Sequence, residues 1–296
     1  MARDWQLPLA FVLTALSSVG CGTPPPASQV PNARAAIDRV HATQDCGVGI
    51  HATAKIDHFG KGGRVRGELL MFALWPDRLR MDVVGPMNVG LVATLASGDG
   101  KFTLLDQREK RFYYGPASAC NIARLTTVPM PAHVLVSILR GAPPVLKHEP
   151  NAATVEWSKS GYYVLKIAST RGAEQEIHIA PFKEDRGKPW QEQRMRVLEV
   201  EVRQQGIVLY HAELDNPEPG KMAKEQVDPD HIDPNIPPSG PTCNAELPMK
   251  IHVEVPGKNE DVQFRYENVE WNPPLTEGLF TQPVPEGIQV LQVTCE

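Results

Sequence analysis

Residues able to do chemistry are scattered along this chain rather than grouped. It contains no G-x-S-x-G, H-E-x-x-H, G-x-G-x-x-G or P-loop pattern. Nucleophile–base, zinc-hydrolase, dinucleotide and nucleotide chemistry therefore lack the spacing they need. Glu199 and Glu201 are spaced like paired carboxylates, but two residues apart on an alternating strand they read as one solvated face. Of the nine histidines, His178, His211 and His252 fall in strand patterns, on charged or mixed faces turned to solvent. Asp228, Asp230, His231 and Asp233 are close in sequence but separated by prolines, and read as a polar turn rather than a cation site. No catalytic residue, metal or cofactor is expected, and an esterase is disfavoured. Thiol chemistry remains, carried by five cysteines.

Cys21 stands apart from the other four. Arg3 lies near the start, Leu7 to Leu16 form a ten-residue apolar run, and small residues follow up to Cys21. This is the plan of a secretory signal over residues 1–20, and the run is too short to span a bilayer. Ser18-Val19-Gly20-Cys21 resembles a bacterial lipobox, which implies lipidation of Cys21, palmitate included, and Gly22 in place of Asp implies sorting to the outer membrane. Several acyl chains make such an anchor stable. Residues 21–32, rich in Pro, Ser and Thr, read as the lipidated cysteine and a flexible tether.

Cys46, Cys120, Cys243 and Cys295 would then lie in an exported, disulfide-permissive setting. Three pairings are open, besides four free thiols. The reading favours Cys243–Cys295, joining the end of an insertion to the last strand, with Cys46–Cys120 tying the first strand to an inner helix.

The elements that must position these residues follow from composition and pattern. The 296 residues are 42% apolar and 22% charged, which excludes wholesale disorder and a polytopic membrane protein. A net charge of −5 argues against nucleic acid. The 28 prolines suit short strands and turns better than long helices. Asn32 can cap a helix over residues 33–43. Strands are expected at 47–58, 64–75, 78–84, 91–97, 101–106 and 110–114, then helices at 117–125 and 131–140. Further strands follow at 152–158, 161–169, 173–180, 195–203, 206–214, 249–255, 261–271 and 288–295. Residues 64–75 are apolar on both faces after Glu68, as a strand covered on both sides would be. Residues 215–248, dense in proline, read as a long surface loop or insertion in one domain over 33–296.

Residues 74–115 carry a resemblance. Pro76-Asp77-Arg78-Leu79-Arg80, then Val84-Gly85-Pro86, then hairpins ending Arg111-Phe112-Tyr113-Tyr114-Gly115 resemble the LolA/LolB-like outer-membrane lipoprotein carrier and receptor superfamily, especially its lipid-anchored members. The helix before Gly141 and the closing Leu279-Phe280 and Val284-Pro285-Glu286-Gly287 fit the same pattern. The resemblance implies a mainly β fold: an unclosed antiparallel half-barrel covered by lid helices. It implies a non-catalytic, periplasm-facing protein that binds or passes on lipid or lipoprotein acyl chains and meets a periplasmic carrier. The alternative on the same fold is an envelope-sensing or protein-interaction module. Leu70, Phe72, Leu79, Met81, Phe102, Leu104, Val134, Leu135 and Ile138 are the candidates to line the cavity. Met87 and Val89, between Gly85 and Gly90, would form an apolar membrane-facing tip, where family members carry a protruding apolar residue.

Overall fold

The computed structural model describes residues 22–60, 63–85, 90–126, 128–230 and 232–294. The signal segment, Cys21, Met87, Val89 and Cys295 lie outside the described residues. After helix α1 (Ala33–Gln44) come six strands: β1 (Gly49–Gly60), β2 (Gly63–Leu74), β3 (Arg78–Gly85), β4 (Gly90–Gly98), β5 (Lys101–Asp106) and β6 (Arg111–Pro116). Helices α2 (Ala119–Thr126) and α3 (Ala132–Leu139) follow. The second run is β7 (His148–Trp157), β8 (Tyr163–Ser169), β9 (Ala173–Pro181), β10 (Met195–Gln204) and β11 (Ile207–Pro219). The chain ends with β12 (Lys221–Met222), β13 (Glu246–Val255), β14 (Glu260–Trp271) and β15 (Gln289–Gln292).

All fifteen strands join one sheet, ordered β15-β6-β5-β4-β3-β2-β1-β14-β13-β11-β10-β9-β8-β7, with β12 beside β14. Among the described residues the two edges, β15 and β7, do not pair with each other, so the sheet stays open. The antiparallel expectation holds for consecutive hairpins but not throughout: β15–β6 and β12–β14 are parallel. Both arise where late segments return to earlier strands, and only hairpin-linked neighbours must run antiparallel. The β1–β14 pairing joins the N-terminal hairpins to the second run.

Alternation decides what each strand buries. In β1, Ile50, Ala52 and Ala54 go into the core, while Lys55 is exposed. On β2 the same rule separates neighbours. Leu69, Met71 and Ala73 enter the core, whereas Phe72 lies opposite Arg80 on β3 and stacks on the His51 ring at 4.3 Å. Leu70 shares that outer face, opposite Asp82.

Two segments differ from their sequence reading. The expected tether is docked. Thr23 donates its N–H to the Lys159 carbonyl (2.9 Å) and accepts from Trp157 Nε1 (3.1 Å). Ser28 accepts the Trp190 N–H (3.0 Å), Gln193 Nε2 donates to the Ser28 carbonyl (3.0 Å), and Pro26 and Val30 are buried. Its prolines fix an extended chain that the β7–β8 hairpin can bind without further loss of backbone freedom. The expected insertion at 215–248 is shorter, because β11 runs to Pro219 and β13 starts at Glu246. Pro217 faces Pro248 across that pairing. The connection between is stapled by a disulfide, Cys46–Cys243, with Cα atoms 5.0 Å apart. The expected pairings Cys243–Cys295 and Cys46–Cys120 are therefore incorrect, and Cys120 is held in another disulfide. The reason is that the connection folds back over the α1–β1 turn, where Asn272 Nδ2 donates to the carbonyls of both Cys46 (2.8 Å) and Pro241 (2.7 Å). Gly47 and Gly220 lie so close to the buried Trp271 indole that a Cβ would land 2.3 and 2.1 Å from it.

The turn that cradles Ser28 is itself held by a buried ion. Asp185, at 0% exposure, accepts from Arg194 Nε (2.7 Å) and the Arg194 N–H (3.0 Å), and pairs with Lys188. Burial alone would raise this carboxyl, but the Arg194 and Lys188 bonds outweigh it and hold it well below the usual carboxylate range. Its folded-state pKa lies below the unfolded value, so its contribution is present above about pH 4 and fades as pH falls through the folded value. Asp185→Asn should cost about 2–3 kcal/mol at neutral pH. Thermal melts of the two proteins should draw together as pH falls below about 4; a gap that stays constant down to about pH 2 would mean the loss is one of shape rather than charge.

Candidate functional site

The inner face of the sheet meets the three helices. Helix α3 is the tightest cover: of its eight residues, Ala132, Val134, Leu135, Val136, Ser137, Ile138 and Leu139 are buried, over β2 and β3. Pro131 starts it, and Gly141, at φ 76°, ends it where a left-handed turn favours glycine. Its C-terminal end is latched twice. The buried Tyr266 hydroxyl donates to the Leu139 carbonyl (2.7 Å), and the buried Arg140 guanidinium donates through Nε to the Gly47 carbonyl (2.8 Å). Burial lowers the Arg140 pKa to about 10. The helix expected at 131–140 is thus a clasped lid.

Seven of the nine proposed lining residues, Leu79, Met81, Phe102, Leu104, Val134, Leu135 and Ile138, belong to the one core cluster between sheet and helices. Leu70 and Phe72 do not belong to that cluster; they point to the opposite face because they alternate with Leu69 and Met71. The cluster is closed in this structure. Leu79, Leu135 and Ile138 have 0% exposure and Met81 and Phe102 have 1%. A side chain with no accessible surface borders no void that could admit even a water, so this face is packed like a core.

The outer face carries the polar arrangement that sequence reasoning missed. His178, His211 and His252 do not stand free in solvent. His178 on β9 lies between Glu176 (2.8 Å) and Glu199 of β10 (2.8 Å). Glu199 also pairs with His211 of β11 (2.9 Å). His252 on β13 lies 3.4 Å from Glu213 and 2.9 Å from Asp261. Burial lowers the His178 pKa, but its bonds to Glu199 and Glu176 outweigh that and raise it overall. The Glu199 bond raises His211, and the two imidazoles hold Glu199 down at about 2. The signal was present as Glu176-x-His178, His211-x-Glu213 and His252-x-Glu254. Each is a same-face pair at strand period, but the register that sets the pair of one strand against that of the next, and the β11–β13 pairing, are not written in any single strand.

Beside this ladder is an outer groove of 830 Å³ between β1–β3 and β13–β14, lined by Asp57, Arg64, Arg66, His252, Asp261 and Arg265 among others. Arg64 and Arg66 both pair with Asp57, and Arg64 stacks on Phe59. In the loop after β12, Asp228 accepts the N–H groups of Asp230 (3.2 Å), Ile232 (2.6 Å) and Asp233 (2.9 Å), so its carboxylate organises a turn, as the sequence suggested.

No protein-family model matches the chain, and no curated protein matches it. Solved structures do. A DUF1329 family protein from Desulfovibrio piger superposes with a TM-score of 0.53 at 10% identity, over 84% of this chain and 96% of its own. A LolA superfamily protein from Nitrosomonas europaea gives 0.49 at 10% identity, over 85% and 98%. An outer membrane lipoprotein-sorting protein domain from Vibrio parahaemolyticus gives 0.48 at 13% identity, over 84% and 95%. The likeness is one of fold, and the chain is an open, helix-covered half-barrel of the kind that the LolA/LolB-like resemblance implies.

Proposed function

We propose that this chain is a lipid-anchored protein of the outer membrane, facing the periplasm, that binds or passes on lipid or lipoprotein acyl chains without catalysis. The observation that carries the reading is the clasped lid. A continuous apolar sheet face is closed by an eight-residue apolar helix whose end is held by two side-chain hydrogen bonds, from Tyr266 and Arg140. Swinging α3 away would bare Leu79 and Met81 on β3 to an acyl chain, and the apolar area lost on one side would be regained against the ligand. Met87 and Val89 are proposed as the tip that meets the acceptor membrane, and a periplasmic carrier as the partner in transfer.

Extraction of the purified chain with organic solvent and mass spectrometry of the extract tests this directly. Tyr266→Phe removes one latch, costs about 1 kcal/mol, and should increase the acyl lipid recovered per folded chain. Loss of stability with no acyl lipid in either protein would favour the second reading, a protein-interaction module with a sealed core. The zero exposure of Leu79, Leu135 and Ile138 is the observation on that side.

A further inference from the structure

The outer-face ladder contains a cluster whose geometry differs from the rest. His252 and Glu254 sit two residues apart on β13, so both side chains leave the same face of the sheet. Asp261 on β14 lies directly across from Glu254, and Glu213 on β11 directly across from His252. Register thus places one imidazole and three carboxylates on neighbouring positions of three adjacent strands. His252 Nε2 lies 2.9 Å from Asp261 Oδ1 and 3.8 Å from Glu254 Oε1, and one ligand atom from each of the three residues lies within 4.8 Å of the others.

Three features point to a cation. Zinc bonds of about 2.0–2.1 Å in tetrahedral array set ligand atoms roughly 3.3 Å apart, and the two distances at Nε2 bracket that value. The other imidazole nitrogen, Nδ1, faces Glu213 Oε2 at 3.4 Å. A carboxylate behind a histidine fixes which nitrogen is presented and makes it a better ligand. Charge completes the case. Among the described residues, Glu213, Glu254 and Asp261 form ion pairs with His211 and His252 and with no lysine or arginine. Nearby cations are turned to other partners: Lys250 to Asp215, Arg64 and Arg66 to Asp57, and Arg265 to the neutral Gln263 amide (3.1 Å).

We propose that His252, Glu254 and Asp261 bind a divalent zinc ion, with Glu213 orienting His252. An imidazole donor beside carboxylates selects a borderline metal over magnesium or calcium, which prefer all-oxygen sites. Three protein ligands leave a fourth position open. His252 and Asp261 both line the outer groove, so that position faces it. The site lies on the sheet face opposite the α3 core and does not depend on acyl-chain binding.

The tag-free full chain, stripped with chelator, is titrated with Zn²⁺ alone by calorimetry and with Co²⁺ by visible absorption. One equivalent of Zn²⁺ should bind, Co²⁺ should give the bands of a four-coordinate centre, and Mg²⁺ should give no heat. His252→Ala should abolish binding. Glu213→Gln, which leaves all three ligands in place, should weaken it roughly tenfold. His178→Ala, in the same ladder but outside the cluster, should leave it unchanged. Melts of metal-free variants establish that each is folded. Absence of stoichiometric Zn²⁺ binding, Zn²⁺ binding retained by His252→Ala, or an equal response to Mg²⁺ would each overturn the assignment.

Discussion

Cys243→Ala should lower the thermal midpoint by roughly 10 °C under non-reducing conditions. The Cys46–Cys243 bond spans 197 residues. On the chain-entropy model, closing so long a loop removes about 4–5 kcal/mol of denatured-state freedom, and a domain of this size shifts by about 2–4 °C per kcal/mol. The bond also holds the folded connection in place. Around it Asn272 ties Gly49, Cys46 and Pro241 together, and Trp271 Nε1 donates to the Ala245 carbonyl (3.1 Å). Cys46→Ala should cost the same, and the double variant should cost no more than either single one. Cys120→Ala should add to them, because Cys120 belongs to a different disulfide. Calorimetry of these four variants and of the Cys46→Ala/Cys120→Ala double variant, with non-reduced peptide mapping, decides the matter. Coupling between Cys46→Ala and Cys120→Ala would restore the pairing that the sequence favoured.

The second large effect concerns attachment. Cys21→Ser should block acyl labelling and release the chain from membranes altogether, since the proposed anchor is the acyl group alone. The docked segment adds a geometric consequence. With Thr23 bonded to Lys159 and Trp157, Gly22 lies against Lys159 at the β7–β8 turn. An anchored chain should therefore hold the β7–β8 turn, residues 158–161, against the bilayer. Strand β8 then leads away from it for seven residues, roughly 23 Å at the usual rise. A fluorophore at Lys159→Cys in reconstituted vesicles should be quenched strongly by headgroup nitroxides, and one at Arg171→Cys weakly. Equal quenching at both sites with membrane attachment intact would mean that the segment undocks and acts as a free tether. Attachment retained by Cys21→Ser would instead remove the anchor itself.

Much of this protein is local, and local features are legible. The Asn32 cap accepts the Ala35 N–H as expected, and the strand alternations and the Pro131–Gly141 limits of the lid need only a few neighbouring residues to declare themselves. The run of antiparallel hairpins followed from the same patterns, whereas the half-barrel was what the family resemblance carried by residues 76–86 and 111–115 implied. Three things did not follow. Leu70 and Phe72 looked equivalent to Leu69 and Met71 by composition, and only register with β1 and β3 assigned them to the outer face. Proline-rich residues 22–30 carry no periodic pattern, so their docking depends on surfaces more than a hundred residues away, at Trp157, Lys159 and Gln193. Cys243 found Cys46 across 197 residues, and His252 found Glu213 through the β11–β13 pairing, across the long connection between those strands. Local pattern was enough for most elements and for the apolar stripe of those that alternate, because backbone dihedrals and side-chain period are set within a few residues. Tertiary structure alone decided which stripes meet, because strand order and register arise from burying all those stripes at once against one another.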